Sequence, residues 1–291
     1  ASYGALLRSV VHPLWPYFAC NYYIGNERNH ARTVAAVFEE GVDALNLESP
    51  ADAGARLRDL DSLYVPVQFF PVFVDSYLPL LKTRIILMTG QYMKPQLNVT
   101  ANTDRVLRHP KIAHWFMQNA IYAHPKVTQI PYGIHHERLR KYAHKLHTLA
   151  PAAMKSGGVR LLPMNYKTHP SRQQLRPHLG DGAKHKLPED QYLDAVAASY
   201  YVISPVGDRP ETYRHWEAVG LQTIPVCNCP AVFHRMFQGS MFITDMTNMI
   251  AMLNASADFI KDMYHVPNRE LILASYWRNV INRTRNSLQR R

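Results

Sequence analysis

Cysteine is scarce in this chain, which has three cysteines among 291 residues. Three cysteines cannot build a network of disulfides, so the chain is not a small disulfide-stapled domain, and at least one cysteine stays free or pairs outside the chain. Cys227 and Cys229 stand two residues apart in an apolar segment, which predicts that they share one face of a strand. We expect both to be ordinary buried thiols, because too few partner residues accompany them for a zinc site.

Long apolar runs are also missing from the sequence. No stretch reaches eighteen apolar residues, so the sequence predicts no transmembrane segment. Since the chain opens on Ala1 rather than Met, an upstream signal or anchor can have been trimmed. Charged residues make up 19% and hydrophobic residues 47% of the chain, a balance that excludes a disordered chain and provides for one large or two medium cores.

Acidic residues are fewer than basic ones, 22 against 33, which gives a formal net charge of +11. A basic chain favours anionic partners such as nucleotide sugars, acidic glycans, membrane surfaces or nucleic acid. Nucleic-acid binding would require a basic stripe with interleaved aromatic residues, whereas lysine and arginine are spread along this whole chain. We therefore expect no nucleic-acid partner.

The most informative stretch covers residues 200–229, YYVISPVGDRPETYRHWEAVGLQTIPVCNC. It predicts a buried strand from Tyr200 to Ser204, a helix that opens near Asp208, and a second apolar strand from Thr223 to Cys227. Asp208 can cap this helix, Glu211 completes the spacing of a capping box, and Pro210 suits a first turn. Strand, loop, helix and strand form one wound unit of a parallel sheet.

Such a unit places the helix N-terminus at the carboxyl edge of the sheet, where unpaired backbone N–H groups and the helix dipole favour a phosphate. Arg214 and Glu217 stand three residues apart and therefore project from one helix face. A nucleotide sugar needs this combination of donors for its pyrophosphate and an acceptor for its ribose hydroxyls. The alternative for the two side chains is a solvated ion pair on a helix surface.

The same stretch carries a resemblance to a known family. Its pattern SPxG, then RxxEA, then IPV consists of Ser204, Pro205, Gly207, Arg214, Glu217, Ala218, Ile224, Pro225 and Val226. This pattern resembles the donor-binding segment of exostosin-like glycosyltransferases. The resemblance implies an α/β chain of the GT-B fold, in which two Rossmann-like domains with wound parallel sheets face a cleft. It also implies a UDP-sugar donor and inversion at the anomeric carbon.

Two positions depart from the family pattern. Gln222 stands where a glycine usually precedes the IPV strand, so we expect a differently shaped helix end. Retaining GT-B enzymes carry a second glutamate eight residues before the position of Glu217; Arg209 occupies that position here, which favours inversion.

The segment PAAMKSGG, from Pro151 to Gly158, is the clearest linker in the chain. It predicts an acceptor-binding domain over residues 1–150 and a donor-binding domain over residues 157–291, with the basic final helix packing back. The loop after the strand Val159 to Met164 carries Lys167 and Arg172. In the family this loop brings a basic side chain over the donor pyrophosphate, and a solvated basic loop is the alternative.

Three residues are candidates for the catalytic base. Glu27 and His30 follow an aromatic segment, Pro16 to Cys20, that we interpret as the first strand of a wound domain. Asp75 follows the apolar run from Leu63 to Val74, at the end of which we expect the carboxyl edge of a sheet. For Glu27 and His30 a solvated loop residue is the alternative.

The triplet Asp59-Leu60-Asp61 imitates the D-x-D metal signature of the other large glycosyltransferase fold. It stands at a helix end rather than after a buried strand, so we expect no metal residue in this chain. A divalent metal can assist transfer but is not required, because side chains and backbone can supply positive charge to the diphosphate. We expect no cofactor other than the UDP-sugar donor substrate.

The function expected from these observations is transfer of a sugar of the xylose, galactose or glucuronic acid type from UDP to a hydroxyl of a glycan or glycoprotein acceptor. The expected donor contacts are Lys167, Arg172, Ser204, Gly207, Thr212, Arg214 and Glu217. The alternative is a non-catalytic glycan-binding protein on a degenerate GT-B scaffold. Sequons at Asn98, Asn254 and Asn282 favour the Golgi lumen over the cytoplasm. The sequence leaves the oligomeric state open.

Overall fold

Two compact units make up the chain. The computed structural model describes residues 3–25, 42–90, 100–121, 123–135, 138–148, 155–165, 169–179, 187–207 and 209–290. Unit 1 comprises Ala1–Tyr132 together with Ala274–Arg291, and unit 2 comprises Gly133–Leu273. These units differ from the predicted domains, 1–150 and 157–291, because residues 133–150 group with unit 2 and the end of the chain groups with unit 1.

Unit 1 contains a six-stranded sheet in which every strand runs parallel to its neighbours. Its strands are β1 (Tyr22–Tyr23), β2 (Leu45–Asn46), β3 (Asp61–Pro66), β4 (Ile85–Gly90), β5 (Ile112–Gln118) and β6 (Val127–Ile130). Their order across the sheet is β2-β1-β3-β4-β5-β6. β3 and β4 pair along their whole length, from Asp61 opposite Ile85 to Pro66 opposite Gly90.

The amino-acid sequence explains why β4 lies in the middle of this sheet. All of its residues are buried, as expected for a parallel strand that is covered on both faces. The longer helices among the described residues of unit 1 are α1 (Tyr3–Ser9), α2 (Pro50–Arg56), α3 (Ala101–Arg108) and the final helix, α11 (Ala274–Gln289). Ser49 and Thr100 cap α2 and α3, each through a capping box.

Unit 2 contains a second parallel sheet, with four strands in the order β10-β9-β8-β7. Its strands are β7 (Gly157–Arg160), β8 (Ser199–Ile203), β9 (Ile224–Cys227) and β10 (Phe242–Ile243). Its helices are α4 (Leu139–Thr148), α5 (Pro170–Leu175), α6 (Glu189–Ala197), α7 (Tyr213–Gly220), α8 (His234–Phe237), α9 (Met246–Leu253) and α10 (Ala257–Met263). The apolar residues of β8 and β9 form its core with Leu175, Met249 and Ile260.

Both units therefore have the α/β architecture with parallel, Rossmann-like sheets that the sequence predicts. Within the described part of the chain, no helix is both long enough and apolar enough to cross a membrane.

Two predictions for unit 1 are wrong. The aromatic segment from Pro16 to Cys20 is not a strand; Trp15–Phe18 forms a 3-10 helix and the first strand follows it at Tyr22. Pro16 explains the difference, because its fixed φ suits a first helical turn and it has no N–H for a strand ladder. The apolar run after Leu63 is a strand only as far as Pro66, and short helical turns occupy residues 67–80.

The helix of the most informative stretch also begins later than predicted. α7 starts at Tyr213, with Thr212 rather than Asp208 as its N-cap. Glu211 precedes the helix and so does not complete a capping box; its carboxylate instead accepts a hydrogen bond from the indole N–H of Trp216. Asp208 itself lies outside the described residues. The strands on either side, β8 and β9, lie within one residue of their predicted bounds.

Candidate functional site

A cavity of about 1250 Å³ opens in unit 2 where the loops after β7 and β8 meet the first turns of α6 and α7. Such a position at the carboxyl edge of a parallel sheet is the usual ligand site of open α/β folds. Its lining residues with polar side chains are Arg138, Asn165, Arg172, Glu189, Tyr192, Ser204, Thr212, Tyr213, Arg214 and Glu217. Five of the seven predicted donor-binding residues are among them. Of the other two, Gly207 lies beside the cavity residue Arg172, and Lys167 lies outside the described residues.

Ser204, in the loop after β8, makes one backbone contact and one side-chain contact. The backbone N–H of Ser204 donates to the carbonyl of Val226 at 2.8 Å, and the Ser204 and Thr212 hydroxyl oxygens lie 3.3 Å apart. These two predicted contacts therefore form one hydroxyl pair at the N-terminus of α7. A hydroxyl pair beside a helix N-terminus can donate to an anion.

The buried ring of His215 contacts the backbone of both Ser204 and Thr212 and so holds the hydroxyl pair in place. Its Nδ1 accepts from the backbone N–H of Thr212 at 3.2 Å, and its Nε2 lies 2.7 Å from the carbonyl oxygen of Ser204. These contacts require the neutral imidazole with its proton on Nε2. Burial lowers the pKa of His215 to about 3, with the nearby guanidinium groups of Arg172 and Arg214 contributing further. His215 is thus a neutral structural side chain at neutral pH.

Arg214 points its guanidinium at the backbone. Its Nε donates to the hydroxyl of Tyr192 at 3.2 Å, its Nη1 to the carbonyls of Leu162 and Ile203 at 3.4 Å each, and its Nη2 to the carbonyl of Pro163 at 2.7 Å. Among the contacts of the described residues, one of the five guanidinium N–H groups remains for a ligand. Arg214 therefore joins the ends of β7 and β8 in addition to lining the cavity.

Glu217 is not the solvated ion-pair partner of Arg214 that the spacing allows. Its side chain is 1% exposed, its Oε1 accepts from Nη1 of Arg138 at 3.2 Å, and its Oε2 accepts from the hydroxyl of Tyr192 at 2.8 Å. Burial opposes the charge on Arg138, but the carboxylates of Glu217 and Glu189 raise the pKa of Arg138 above its ordinary value. A carboxylate fixed in this way keeps acceptor lone pairs that can face a hydroxyl in the cavity.

Sequence reasoning missed Arg138, Glu189 and Tyr192. Arg138 precedes α4, and Glu189 and Tyr192 belong to the first turn of α6. Glu189 pairs with Lys141 at 3.2 Å and lies 3.7 Å from Nε of Arg138. Burial and the nearby charge of Glu217 raise the pKa of Tyr192, which keeps its hydroxyl protonated as a donor. A signal was present in the acidic first turn of α6, but Arg138 lies 79 residues away from Glu217 in the sequence, and no local pattern connects the two.

Arg172 and Gly207 lie against each other. A Cβ atom placed on Gly207 would lie 2.1 Å from Nη2 of Arg172, so a larger residue there would displace the guanidinium. The sequence predicted a donor contact at Gly207, whereas the space beside its α-carbon is filled by Arg172. The cation still lines the cavity.

None of the three candidate bases is placed in the cavity by the described structure. Asp75 belongs to the helical turns after β3, not to the carboxyl end of a strand, and its side chain is 65% exposed and pairs with Arg105 at 2.9 Å. The prediction that it follows a strand was wrong for the reason given above, that Pro66 ends β3. Glu27 and His30 lie outside the described residues.

The D-x-D triplet also has a structural explanation. Asp59 forms a two-pronged ion pair with Arg84, which lowers the pKa of the Asp59 carboxyl through the hydrogen bonds and the charge. Asp61 opens β3, and its carboxylate accepts from the backbone N–H of Arg58 at 2.8 Å.

Cys227 and Cys229 form a disulfide rather than two buried thiols. β9 ends at Cys227, so Cys229 is not on the same strand face, and the chain turns back far enough for the sulfurs to bond. Cys20 is the free cysteine. The two sulfurs and a ring nitrogen of His215 lie within 4.8 Å of one another, but bonded sulfurs are not thiolate ligands for a metal.

Comparison of the sequence with models of known protein families and with curated proteins found no match in either case. The class of the protein therefore follows from its fold: an α/β chain with two parallel sheets and, in unit 2, a polar cavity at a carboxyl edge.

Proposed function

We propose that the protein is an inverting glycosyltransferase of the GT-B type, which binds a UDP-sugar in the cavity of unit 2 and transfers the sugar to a hydroxyl of a glycan. The observation that carries the proposal is the convergence of Arg172, Ser204, Thr212, Arg214 and Glu217 on one cavity. The resemblance to exostosin-like enzymes rests on the same stretch of sequence. A donor domain has to combine cations for a diphosphate with an acceptor for the ribose, and this cavity contains both.

In this proposal the diphosphate lies near Arg172 and the N-terminus of α7. Arg172 supplies paired donors for phosphate oxygens, and the Ser204 and Thr212 hydroxyls add neutral donors. Glu217 accepts from the ribose hydroxyls while Arg138 and Tyr192 hold its carboxylate in place. Arg214 acts mainly by positioning, because its guanidinium ties together the loops that carry these groups.

Transfer is a single in-line displacement. A base takes the proton of the acceptor hydroxyl, its oxygen bonds to the anomeric carbon, and the bond from that carbon to the diphosphate oxygen breaks. The electron pair leaves with UDP, whose new negative charge is stabilised by Arg172 and the α7 N-terminus.

The second candidate function is glycan binding without catalysis. The observation that favours it is that Asp75, one of the three predicted bases, is an exposed ion-pair partner of Arg105 in unit 1. A degenerate enzyme would retain a polar cavity and the positive charge of the chain for an acidic glycan.

The test is a thermal-shift and calorimetry panel of UDP, GDP, UDP-xylose, UDP-galactose, UDP-glucose and UDP-glucuronic acid, with and without manganese. A ligand at a hundred times its dissociation constant adds about 2.7 kcal/mol to stability, so binding is readily seen. We expect stabilisation by UDP and at least one UDP-sugar without manganese. If no nucleotide stabilises the protein, the transferase proposal is wrong and glycan binding takes its place.

The UDP affinity of single-residue variants tests whether Glu217 belongs to the donor site. Glu217→Gln keeps the shape and removes the charge of the carboxylate, and we expect it to weaken UDP binding by about tenfold, the cost of about one charged hydrogen bond. Asp75→Asn, in unit 1, is the control and should bind UDP as the wild type does. Equal UDP affinity of Glu217→Gln and wild type would remove Glu217 from the donor site.

A further inference from the structure

Asn228 is the middle residue of the short ring that the Cys227–Cys229 disulfide closes. Its side chain makes two hydrogen bonds in opposite directions. The backbone N–H of Val206 donates to its Oδ1 at 3.0 Å, and its Nδ2 donates to the hydroxyl oxygen of Ser171 at 2.8 Å. One amide therefore bridges the loop after β8 and the first turn of α5.

Both segments that the Asn228 amide joins lie next to Arg172, one of the cavity arginines. Ser171 immediately precedes Arg172, and Val206 immediately precedes Gly207, whose α-carbon lies against the Arg172 guanidinium. Ser171 is itself buried, at 8% exposure. The position of Arg172 relative to the loop thus depends on the distance that Asn228 sets between the two segments.

The disulfide in turn restrains Asn228. The carbonyl of Cys227 accepts from the backbone N–H of Thr244 at 2.9 Å, which fixes the start of the ring in the sheet. Cys229 is 5% exposed and its sulfur lies 3.0 Å from the carbonyl oxygen of Pro210, which places the end of the ring beneath the segment that leads into α7. With both ends held, the backbone of Asn228 has little freedom to turn its amide away.

We propose that Asn228 is a positioning residue for Arg172, and that the Cys227–Cys229 disulfide makes the affinity of the cavity for a diphosphate depend on oxidation state. The inference rests on the proposed function, since it names the residue and the bond that hold the diphosphate end of that site. A dithiol reductant supplies two electrons and two protons, the disulfide becomes two thiols, and the reductant leaves as its own disulfide. The opened ring then lets the Asn228 amide leave its two partners.

The first experiment compares UDP with uridine by calorimetry. Asn228→Leu removes both hydrogen bonds at similar volume, and Ser171→Ala removes one of them. We expect the Kd of UDP to rise about three- to tenfold in both variants, as loss of one or two hydrogen bonds predicts. The Kd of uridine, which has no phosphate, should stay unchanged. A general loss of structure would instead weaken the binding of both ligands.

Ser199→Ala is the matched control for Ser171→Ala. Ser199 is a buried serine of the same unit at the amino end of β8, and its hydroxyl donates to the carbonyl of Ala195 at 2.7 Å. We expect it to bind UDP and uridine as the wild type does. Wild-type affinity for UDP in both Asn228→Leu and Ser171→Ala would overturn the inference.

The second experiment tests the disulfide in a Cys20→Ser background, so that a reductant acts on one pair of sulfurs. Reduction with dithiothreitol, or the double substitution Cys227→Ser with Cys229→Ser, should raise the Kd of UDP by the factor seen for Asn228→Leu, with uridine again unchanged. Reduced and oxidised protein of equal UDP affinity would refute the redox dependence.

Amide hydrogen exchange separates this inference from the proposed function. The Val206 N–H donates to Asn228, so its exchange should speed up at least threefold in Asn228→Leu and on reduction, with or without any nucleotide. If wild-type protein binds no UDP, the proposed function fails, and the exchange rate of Val206 still decides the bridge. Unchanged exchange in both cases would sink the positioning role itself.

Discussion

At the scale of single residues, buried polar side chains of unit 2 hold the cavity loops in place through hydrogen bonds to backbone groups. His215 is one of them, and its two ring nitrogens serve the Thr212 N–H and the Ser204 carbonyl. A buried imidazole in this role has to stay neutral, because a proton on Nδ1 would place two donors face to face. Part of the acid sensitivity of stability should therefore come from this side chain.

The pH dependence of unfolding tests this. The pKa of His215 is lowered by burial from 6.5 to about 3, so the unfolded chain takes up a proton at a pH where the folded chain does not. The free energy of unfolding should fall as the pH falls from 6.5 towards 3, by up to about 1.4 kcal/mol per pH unit. In His215→Gln this part of the slope should disappear from urea titrations made across that range.

His234→Gln serves as the control, because His234 is exposed on α8 and the substitution removes an imidazole without touching the cavity loop. A wild-type slope in His215→Gln would show that another group causes the acid sensitivity.

At the scale of elements, the junction between α7 and β9 carries local strain. α7 ends at Gly220, and Gln222 adopts a φ of +58°, a left-handed conformation that glycine tolerates best. The junction is nevertheless well bonded, since the carbonyl of Gln222 accepts from the hydroxyl of Tyr264 at 2.6 Å.

Gln222→Gly should therefore raise the free energy of unfolding of unit 2, by about 0.5–1 kcal/mol, because the backbone strain is removed while the hydrogen bond to the carbonyl is kept. Chemical denaturation followed by tryptophan fluorescence would measure it. The contrasting variant is Gly220→Ala, whose Cβ would lie 1.9 Å from the hydroxyl oxygen of Tyr142 and should destabilise the unit. A less stable Gln222→Gly protein would contradict the strain argument.

At the scale of the whole molecule, the end of the chain completes the unit in which the chain began. α11 belongs to unit 1, where its Trp277 and Ile281 are buried at 3% and 1% exposure. Nε of Arg285 donates to the carbonyl of Leu60 at 3.2 Å, and its Nη2 to the side chains of Asn21 and Ser62 at 3.1 and 3.2 Å. The final helix thus fastens the segments that lead into β1 and β3.

Truncation after Leu273 should destabilise unit 1 by more than about 3 kcal/mol, the cost of removing one large buried aromatic residue. Hydrogen exchange is the measurement, because it reports on each sheet separately. We expect faster exchange in β3 and β4 and unchanged exchange in β8 and β9. Removal of residues 290 and 291 alone is the control and should leave both sheets protected; equal protection of β3 in the truncated chain would refute the role of α11.

The sequence by itself determined the class of the fold and several residues at the carboxyl edge of the sheet in unit 2. Buried parallel strands are continuous apolar runs, so β8 and β9 were predicted from the sequence, and residues close in sequence around α7 lie close in space. That proximity explains why Ser204, Thr212, Arg214 and Glu217 could be predicted together.

The tertiary structure alone decided what those residues contact. Arg138 reaches Glu217 across 79 positions of sequence, and Asn228 reaches Ser171 across 57; no local pattern encodes contacts at such separations. It also decided that α7 begins at Tyr213, after its N-cap Thr212, and that β3 stops at Pro66, since competing hydrogen bonds and proline outweighed a plausible capping pattern and an apolar run. The physical reason is the same throughout: propensity and periodicity act over one or two turns, whereas partners are selected by packing among segments distant in the chain.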